Sequence, residues 1–317
     1  MDIEYLLVLQ DFRNTYGTFI TPIMNIISDF AIKYMLAIIF LIYWCVDKKA
    51  GIALMFPTAF GSLINECLKM TACIYRPWVR DSRIIADAKA IKTATGYSFP
   101  SGHSAGAAAE YGSAALMLKK KNKILAGFSL LMIALTMFSR NYLGVHTPQD
   151  VLAGASVGVI SLFMSLKILP LILNDEKWRF RFIWITLIIS IAVILYISLK
   201  TYPLAYDASG NLLTDPYEMQ SDSFQIIGLL NGAVIGIYIE EKYINFSEKG
   251  TKKMLIIRAL IGLGLILLVR EGITPALEML DEHWGVFAGS FLLSFMVMAA
   301  YPFLFKKFEK TKAIVQG

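Results

Sequence analysis

Charge is scarce in this 317-residue chain: Asp, Glu, Lys and Arg make up 17% of it, against about 25% in a soluble globular domain. Apolar residues reach 56%, above the usual ~45–50%, and mean hydropathy is +0.59. That composition excludes an ordinary water-soluble enzyme. Cysteine is nearly absent. Cys45, Cys67 and Cys73 make an odd number, and the first two lie inside apolar runs, so neither a disulfide framework nor a cysteine metal site is expected. Histidine is as rare, with His103, His146 and His283. The opening residues place Asp2, Glu4 and Asp11 around a single Arg13, without the basic start of a signal peptide; residues 2–17 read as a short amphipathic interfacial helix. The net charge of +6 does not point to nucleic acid, because the lysines fall in short blocks between apolar runs.

What the chain has in abundance is long apolar runs. A spanning helix needs about 20 residues, since each residue advances about 1.5 Å across about 30 Å of hydrocarbon. About nine such runs are present, near 20–46, 51–72, 102–119, 123–140, 148–172, 180–200, 223–241, 254–271 and 284–305. The first is the least regular, since it contains Asp29 and Lys33, and the region 73–100 is too polar to span. The expected fold is an all-α polytopic membrane helix bundle. Residues 1–200 form its core, and 201–317 add three helices to the same membrane domain.

Lys and Arg in short loops set the orientation. One side receives Lys48 and Lys49, "KKKNK" at 119–123, "EKWRFR" at 176–181, "EKGTKK" at 248–253 and "KKFEKTK" at 306–312. The other side receives the N-terminus and loops that are mostly acidic, so the chain is expected to run N-out and C-in. Two outer segments break the rule by carrying arginines: the 73–100 loop and the 140–148 turn. That breach asks for a local reason.

Three segments meeting at this outer boundary supply it. The second run ends in "KMTACIYRP", giving Lys69 and Arg76. The third opens on "PSGH", with Ser101, Gly102 and His103. The fourth exits through "SRNYLGVHTPQD", with Arg140, His146 and Asp150. Three cations gathered without matching acids repel one another, and a dianionic phosphate relieves that repulsion. Ser101 suits the cap of a helix whose first turn, at Gly102, lets backbone amides approach an anion. Thr147 and Pro148 suit the start of the next helix. Asp150, four residues after His146, can reach back to one ring nitrogen and leave the other as a nucleophile, and His103 is then free to protonate a leaving oxygen. Glu66, Asn65 and Glu110 also lie inside runs, where helix–helix hydrogen bonding is the expected role. His283 has no motif around it.

These three segments resemble the signature of the type 2 phosphatidic acid phosphatases, with no substitution at a signature position, over roughly residues 60–165. The resemblance implies phosphate binding by Lys69, Arg76, Ser101, Gly102 and Arg140. It also implies a phosphohistidine formed on His146 with Asp150 as its partner, and His103 as the acid for the leaving group. No cofactor or metal is implied, in keeping with the lack of a carboxylate cluster to hold one. The implied partners are a phosphorylated lipid substrate and the surrounding membrane lipids, with no nucleic acid; oligomeric state is left open. Nine runs and an outer site are similar to the glucose-6-phosphatase and sphingosine-phosphate phosphatase branch. The first 50 residues, with "LQDFRN" and "IYWCVDKK", resemble bacterial members, which implies a bacterial cytoplasmic membrane and a site facing outward. A phosphotransferase using the same phosphohistidine, a small sugar-phosphate phosphatase, and a non-catalytic transporter or scaffold are the alternatives at this stage.

Overall fold

A computed structural model describes residues 2–30, 34–207 and 209–315, with side chains described as far as Phe308. It is all-helical apart from a single isolated bridge, Tyr206 to Leu212. In chain order the helices are α1 (Asp2–Asp29), α2 (Met35–Cys45), α3 (Lys48–Ala72), α4 (Pro77–Arg80), α5 (Ala88–Ile91), α6 (Gly102–Leu118) and α7 (Lys123–Tyr142). They continue with α8 (Pro148–Asn174), α9 (Glu176–Leu199), α10 (Pro216–Ile239), α11 (Lys252–Leu268), α12 (Thr274–Glu278), α13 (Glu282–Phe295) and α14 (Tyr301–Val315). Among the described residues, six helical segments are long and apolar enough to cross a membrane: 48–80, 123–142, 148–174, 176–199, 216–244 and 282–308. The protein is an all-α membrane protein built from helix bundles.

Two expectations change at the N-terminus. The interfacial helix at 2–17 and the run at 20–46 are not separate elements. A single 28-residue helix, α1 (Asp2–Asp29), takes in the first and enters the second; residues 31–33 lie outside the described residues. It continues through Gly17 because Gly17 and Thr21 pack against Tyr142 of α7, with Thr21 Oγ1 and the Tyr142 hydroxyl 3.1 Å apart. What remains of the run is α2, only 11 residues long; Lys33 lies outside the described residues. The run at 102–119 forms a helix of 17 residues, about 25 Å long and near the lower limit for crossing, while the run at 254–271 begins in α11 and continues through a π turn into α12. The region 73–100 is irregular, with the one-turn helices α4 and α5.

The helices group into two compact units. The first comprises residues 1–36, 54–165 and 199–219; the second comprises 37–53, 166–198 and 220–317.

In the first unit, α6 packs along α7, and α1 packs along α7. Small residues let α8 approach α6 closely. A Cβ at Gly154 would collide with the carbonyl oxygen of Ser101, and one at Gly158 with that of Ala105. This is the small-residue spacing by which membrane helices bring their backbones together. The 73–100 segment is strapped to α1 and α7. Gln10 Oε1 accepts from the Ile85 amide at 2.6 Å, and Arg13 donates to the carbonyls of Ile85 and Tyr142. The Asp87 amide bonds Leu143 O at 2.9 Å. Beneath the strap lies a small core of Ala86, Ala90, Ala94, Tyr142, Leu143 and Val145. Lys200 closes the end of α3 by donating to Met70 O and Thr71 O at 2.6 and 2.9 Å.

The second unit buries charge in pairs. Lys48 Nζ meets Glu240 at 3.0 Å and Glu241 at 3.1 Å, and Glu240 also accepts from the Phe246 amide at 3.0 Å. Three single π turns, 240–244, 269–273 and 296–300, interrupt its helices. The last presents carbonyls to side-chain donors: Val297 O accepts from Trp44 Nε1 and Met298 O from the Tyr43 hydroxyl, each at 2.9 Å. A widened turn displaces carbonyls from the helical ladder and frees them for such partners.

Candidate active site

Four helix ends of the first unit converge: the C-terminal ends of α3 and α7 and the N-terminal ends of α6 and α8. Every side chain singled out from the three sequence segments, Gly102 aside, is at most 7% exposed. The sequence folds this way for local reasons. Ser101 is the N-cap of α6, with its hydroxyl accepting from the Ser104 amide. Thr147 and Asp150 cap each other at the start of α8. The Thr147 amide donates to Asp150 Oδ2 at 2.8 Å, and the Asp150 amide donates to Thr147 Oγ1 at 3.4 Å. The Ser101 amide then donates to Asp150 O at 2.9 Å, which locks the starts of α6 and α8 together. Between α7 and α8 the chain reverses at Gly144, whose φ of 75° lies in the left-handed region and whose missing side chain leaves room for Ala86.

At the centre, Arg76 Nη1 lies 2.8 Å from His146 Nε2 and donates to Val145 O at 3.1 Å. Its Nε donates to Gly96 O and its Nη2 to Thr95 O, at 2.9 and 2.7 Å. Arginine can only donate, so His146 Nε2 accepts, and the ring proton sits on Nδ1. That nitrogen faces Asp150 Oδ2 at 3.5 Å. Burial first, and the Arg76 guanidinium next, hold His146 well below the ordinary imidazole pKa, so the ring is neutral. Asn141 Nδ2 anchors the His146 carbonyl at 2.9 Å.

Arg140 is fully buried and donates from Nη1 to Ser28 Oγ at 2.6 Å; its Nε and Nη2 have no hydrogen-bond partner among the described residues. Asp29, the carboxylate whose attraction reaches it, is 3.2 Å from Lys89 Nζ. His103, on the first turn of α6, is 5% exposed and lies within the electrostatic reach of Arg140, His146, Arg76 and Lys69. Lys69 and Glu66 form a buried pair, Nζ to Oε1 at 2.6 Å.

The structure therefore brings together all eight positions read from the three segments. It corrects one premise. Lys69 is not without a matching acid, because three residues apart on one helix places the Glu66 carboxylate on the same face as the ammonium. Glu66 thus serves a cation within its own helix rather than bridging to another. Ser98 is an addition: its hydroxyl is 2.6 Å from Asp150 Oδ2 and 3.4 Å from His146 Nδ1, and it is fully buried. The only signal for it was its place in "YSFPSGH", just ahead of the capping serine. Ser28, on α1, carried no motif.

The family model described as PAP2 superfamily matches residues 50–174, and a second, described as PAP2 superfamily phosphatase, transmembrane extension, matches 224–313. The phosphatidylglycerophosphatase B of Bacillus subtilis (strain 168) is 33% identical over 129 residues, 37% of this chain and 58% of that protein. The match spans little more than half of that relative's length. No solved structure gives a significant match. Residues 50–174, which contain every signature position, carry a PAP2 superfamily domain, and residues 224–313 carry the match to that superfamily's transmembrane extension.

Proposed function

We propose that the protein is an integral-membrane phosphatase that hydrolyses a phosphorylated lipid through a phosphohistidine on His146. The observation that carries this reading is Arg140: a fully buried guanidinium with two nitrogens unpartnered among the described residues, within reach of repulsion from Arg76 as well as attraction from Asp29. Buried donors without acceptors are costly. A phosphoryl group between Arg76 and Arg140 supplies the missing acceptors and neutralises both cations. Lys69 adds a point charge, with Glu66 beside it. The first-turn amides of α6, at Gly102 and His103, have no intrahelical acceptor and sit at the positive end of the helix dipole, which favours the same anion.

The chemistry follows in two steps. Arg76 Nη1 turns its N–H from His146 Nε2 to a phosphoryl oxygen, the freed Nε2 lone pair attacks phosphorus, the bond from phosphorus to the lipid oxygen breaks, and His103 gives that oxygen its proton. Water then attacks the phosphohistidine, His103 takes the proton, the N–P bond breaks and inorganic phosphate leaves. Arg76 Nη1, already against Nε2 at 2.8 Å, is the donor nearest the N–P bond as it forms. No metal ion takes part in this scheme.

A lipid substrate is supported by the placement of the site at helix ends, where a head group lies, and by the name of the Bacillus subtilis relative. The apolar runs support nine crossings, the loop charges support an outer N-terminus and site with an inner C-terminus, and the Bacillus subtilis relative supports a bacterial cell membrane. Residues 1–200 then form the catalytic core and 201–317 its extension. Phosphate release from phosphatidate, phosphatidylglycerol phosphate, a polyprenyl diphosphate, a sphingoid phosphate and a sugar phosphate, in detergent with EDTA, tests the reading. Release from at least one lipid is expected. Release from the sugar phosphate alone would overturn the lipid assignment.

A further inference from the structure

We propose that Ser98 is a positioning residue for this reaction: its hydroxyl bridges Asp150 and His146 and fixes the imidazole with Nε2 towards phosphorus. The inference rests on the function proposed above. Its motive is that the direct link between the two residues is long. Asp150 Oδ2 is 3.5 Å from His146 Nδ1, beyond the usual range for a strong N–H to carboxylate bond. Ser98 offers a second route. Its Oγ is 2.6 Å from Asp150 Oδ2, a distance typical of a hydroxyl donating to a carboxylate. The single hydroxyl proton is then committed to Asp150, so the face of Oγ turned to His146, 3.4 Å from Nδ1, presents lone pairs. A neutral ring carrying its proton on Nδ1 therefore finds acceptors in both Ser98 and Asp150.

The neighbours of the pair favour this orientation. Arg76 Nη1 lies nearer Nε2, at 2.8 Å, than Nδ1, at 3.5 Å, so a tautomer protonated at Nε2 would set N–H against N–H at the shorter contact. Ser98 is itself held: it is fully buried, and its amide donates to Ile74 O at 2.7 Å. The Thr147 amide restrains the same carboxylate oxygen at 2.8 Å. Asp150 is thus fixed from two directions, and only the Ser98 arm also touches the histidine. Ser98 touches no reacting atom, so it acts through geometry alone. It lies outside the eight positions of the three-part signature.

The test compares Ser98→Ala, Ser98→Cys and Ser98→Thr with the wild type, on a lipid phosphate in detergent. Ala removes the hydroxyl; Cys keeps the volume but donates poorly; Thr keeps the hydroxyl. The expected result is a loss of about 10–10²-fold in kcat for Ala and Cys with KM within threefold, and recovery of most activity in Thr; the range is that of outer-sphere partners of a catalytic group. A merely structural role would move stability and KM together and would not separate Cys from Thr. In an Asp150→Asn background, where the carboxylate is gone, Ser98→Ala should cost less than threefold, because both act through one imidazole. Ala or Cys variants within twofold of wild type would overturn the proposal, as would full multiplicative loss in the double variant. Should the Ala variant fail to fold, Cys against Thr decides. Turnover surviving in His146→Ala would instead overturn the phosphohistidine itself, so the two failures are distinguishable.

Discussion

Arg140→Met should lower turnover without destabilising the ligand-free protein. Methionine is close to arginine in length, apolar and flexible, so it fills the site without opening a large cavity. In the wild type, Nε and Nη2 of Arg140 are buried without partners among the described residues, and Nη1 is engaged with Ser28 at 2.6 Å. Hydrogen bonds to charged groups contribute about 1.5–3 kcal/mol each, so two such bonds to a phosphoryl group come to about 3–6 kcal/mol. At about 1.4 kcal/mol per tenfold, kcat/KM should fall by about 10²–10⁴. The ledger for the ligand-free protein runs the other way. The substitution removes two unsatisfied buried donors and a repulsion from Arg76, and forfeits the bond to Ser28 and the attraction of Asp29. Melting temperature without ligand should therefore hold or rise. Inorganic phosphate or vanadate should raise the melting temperature of the wild type by mass action and leave that of Arg140→Met unchanged. A variant that melts several degrees lower while keeping kcat/KM within fivefold would refute the reasoning and make Arg140 a structural tie between α7 and α1.

Three further outcomes follow from the same geometry. Gly154→Val drives a side chain into the Ser101 carbonyl, so it should lower the melting temperature in detergent, by an overpacking cost of about 1–3 kcal/mol, and reduce activity; the exposed Ser156→Ala on the same helix should do neither. His103→Asn should lose most turnover of a lipid ester, whose alkoxide needs a proton, by the ~10²–10⁴-fold typical of general acids, while keeping more of its initial burst on a nitrophenyl phosphate; equal losses on both would make His103 a binding group only. In a chain freed of native cysteines, Ser82→Cys, in the exposed part of the 73–100 segment, should react with a membrane-impermeant thiol reagent in intact cells; labelling only after the membrane is opened would invert the topology.

Much of the site was legible in the sequence because its chemistry depends on short-range spacing. Ser101, Gly102 and His103 are consecutive, and capping fixes them at one helix start. Asp150 reaches His146 because four residues span one turn. The pairing of Glu66 with Lys69 obeys the same local rule, yet it was hidden by attention to cations alone. What the sequence concealed is what arrives from far away. Ser28 meets Arg140 across 112 residues, and Gln10 and Arg13 hold a loop more than 70 residues distant. Neither contact has a periodicity to announce it. The apolar pattern marked the six segments that are long and apolar enough to cross a membrane but not the continuity of α1, because a hydropathy window does not register whether the helix continues between a polar and an apolar stretch. The π turns of the second unit are invisible for a related reason: one inserted residue per turn does not disturb an apolar run.

The most direct test of the central claim is to trap the phosphoenzyme. Wild-type protein, mixed with a lipid phosphate labelled in the phosphoryl group and quenched with alkali within the first turnover, should carry label on a single histidine, His146. The label should be stable to alkali and lost in acid, as a phosphoramidate requires. His146→Ala should fold, bind vanadate, carry no label and retain less than a thousandth of turnover, in line with loss of a nucleophile. Label on another residue, or a His146→Ala variant with a tenth of wild-type turnover, would contradict the mechanism outright.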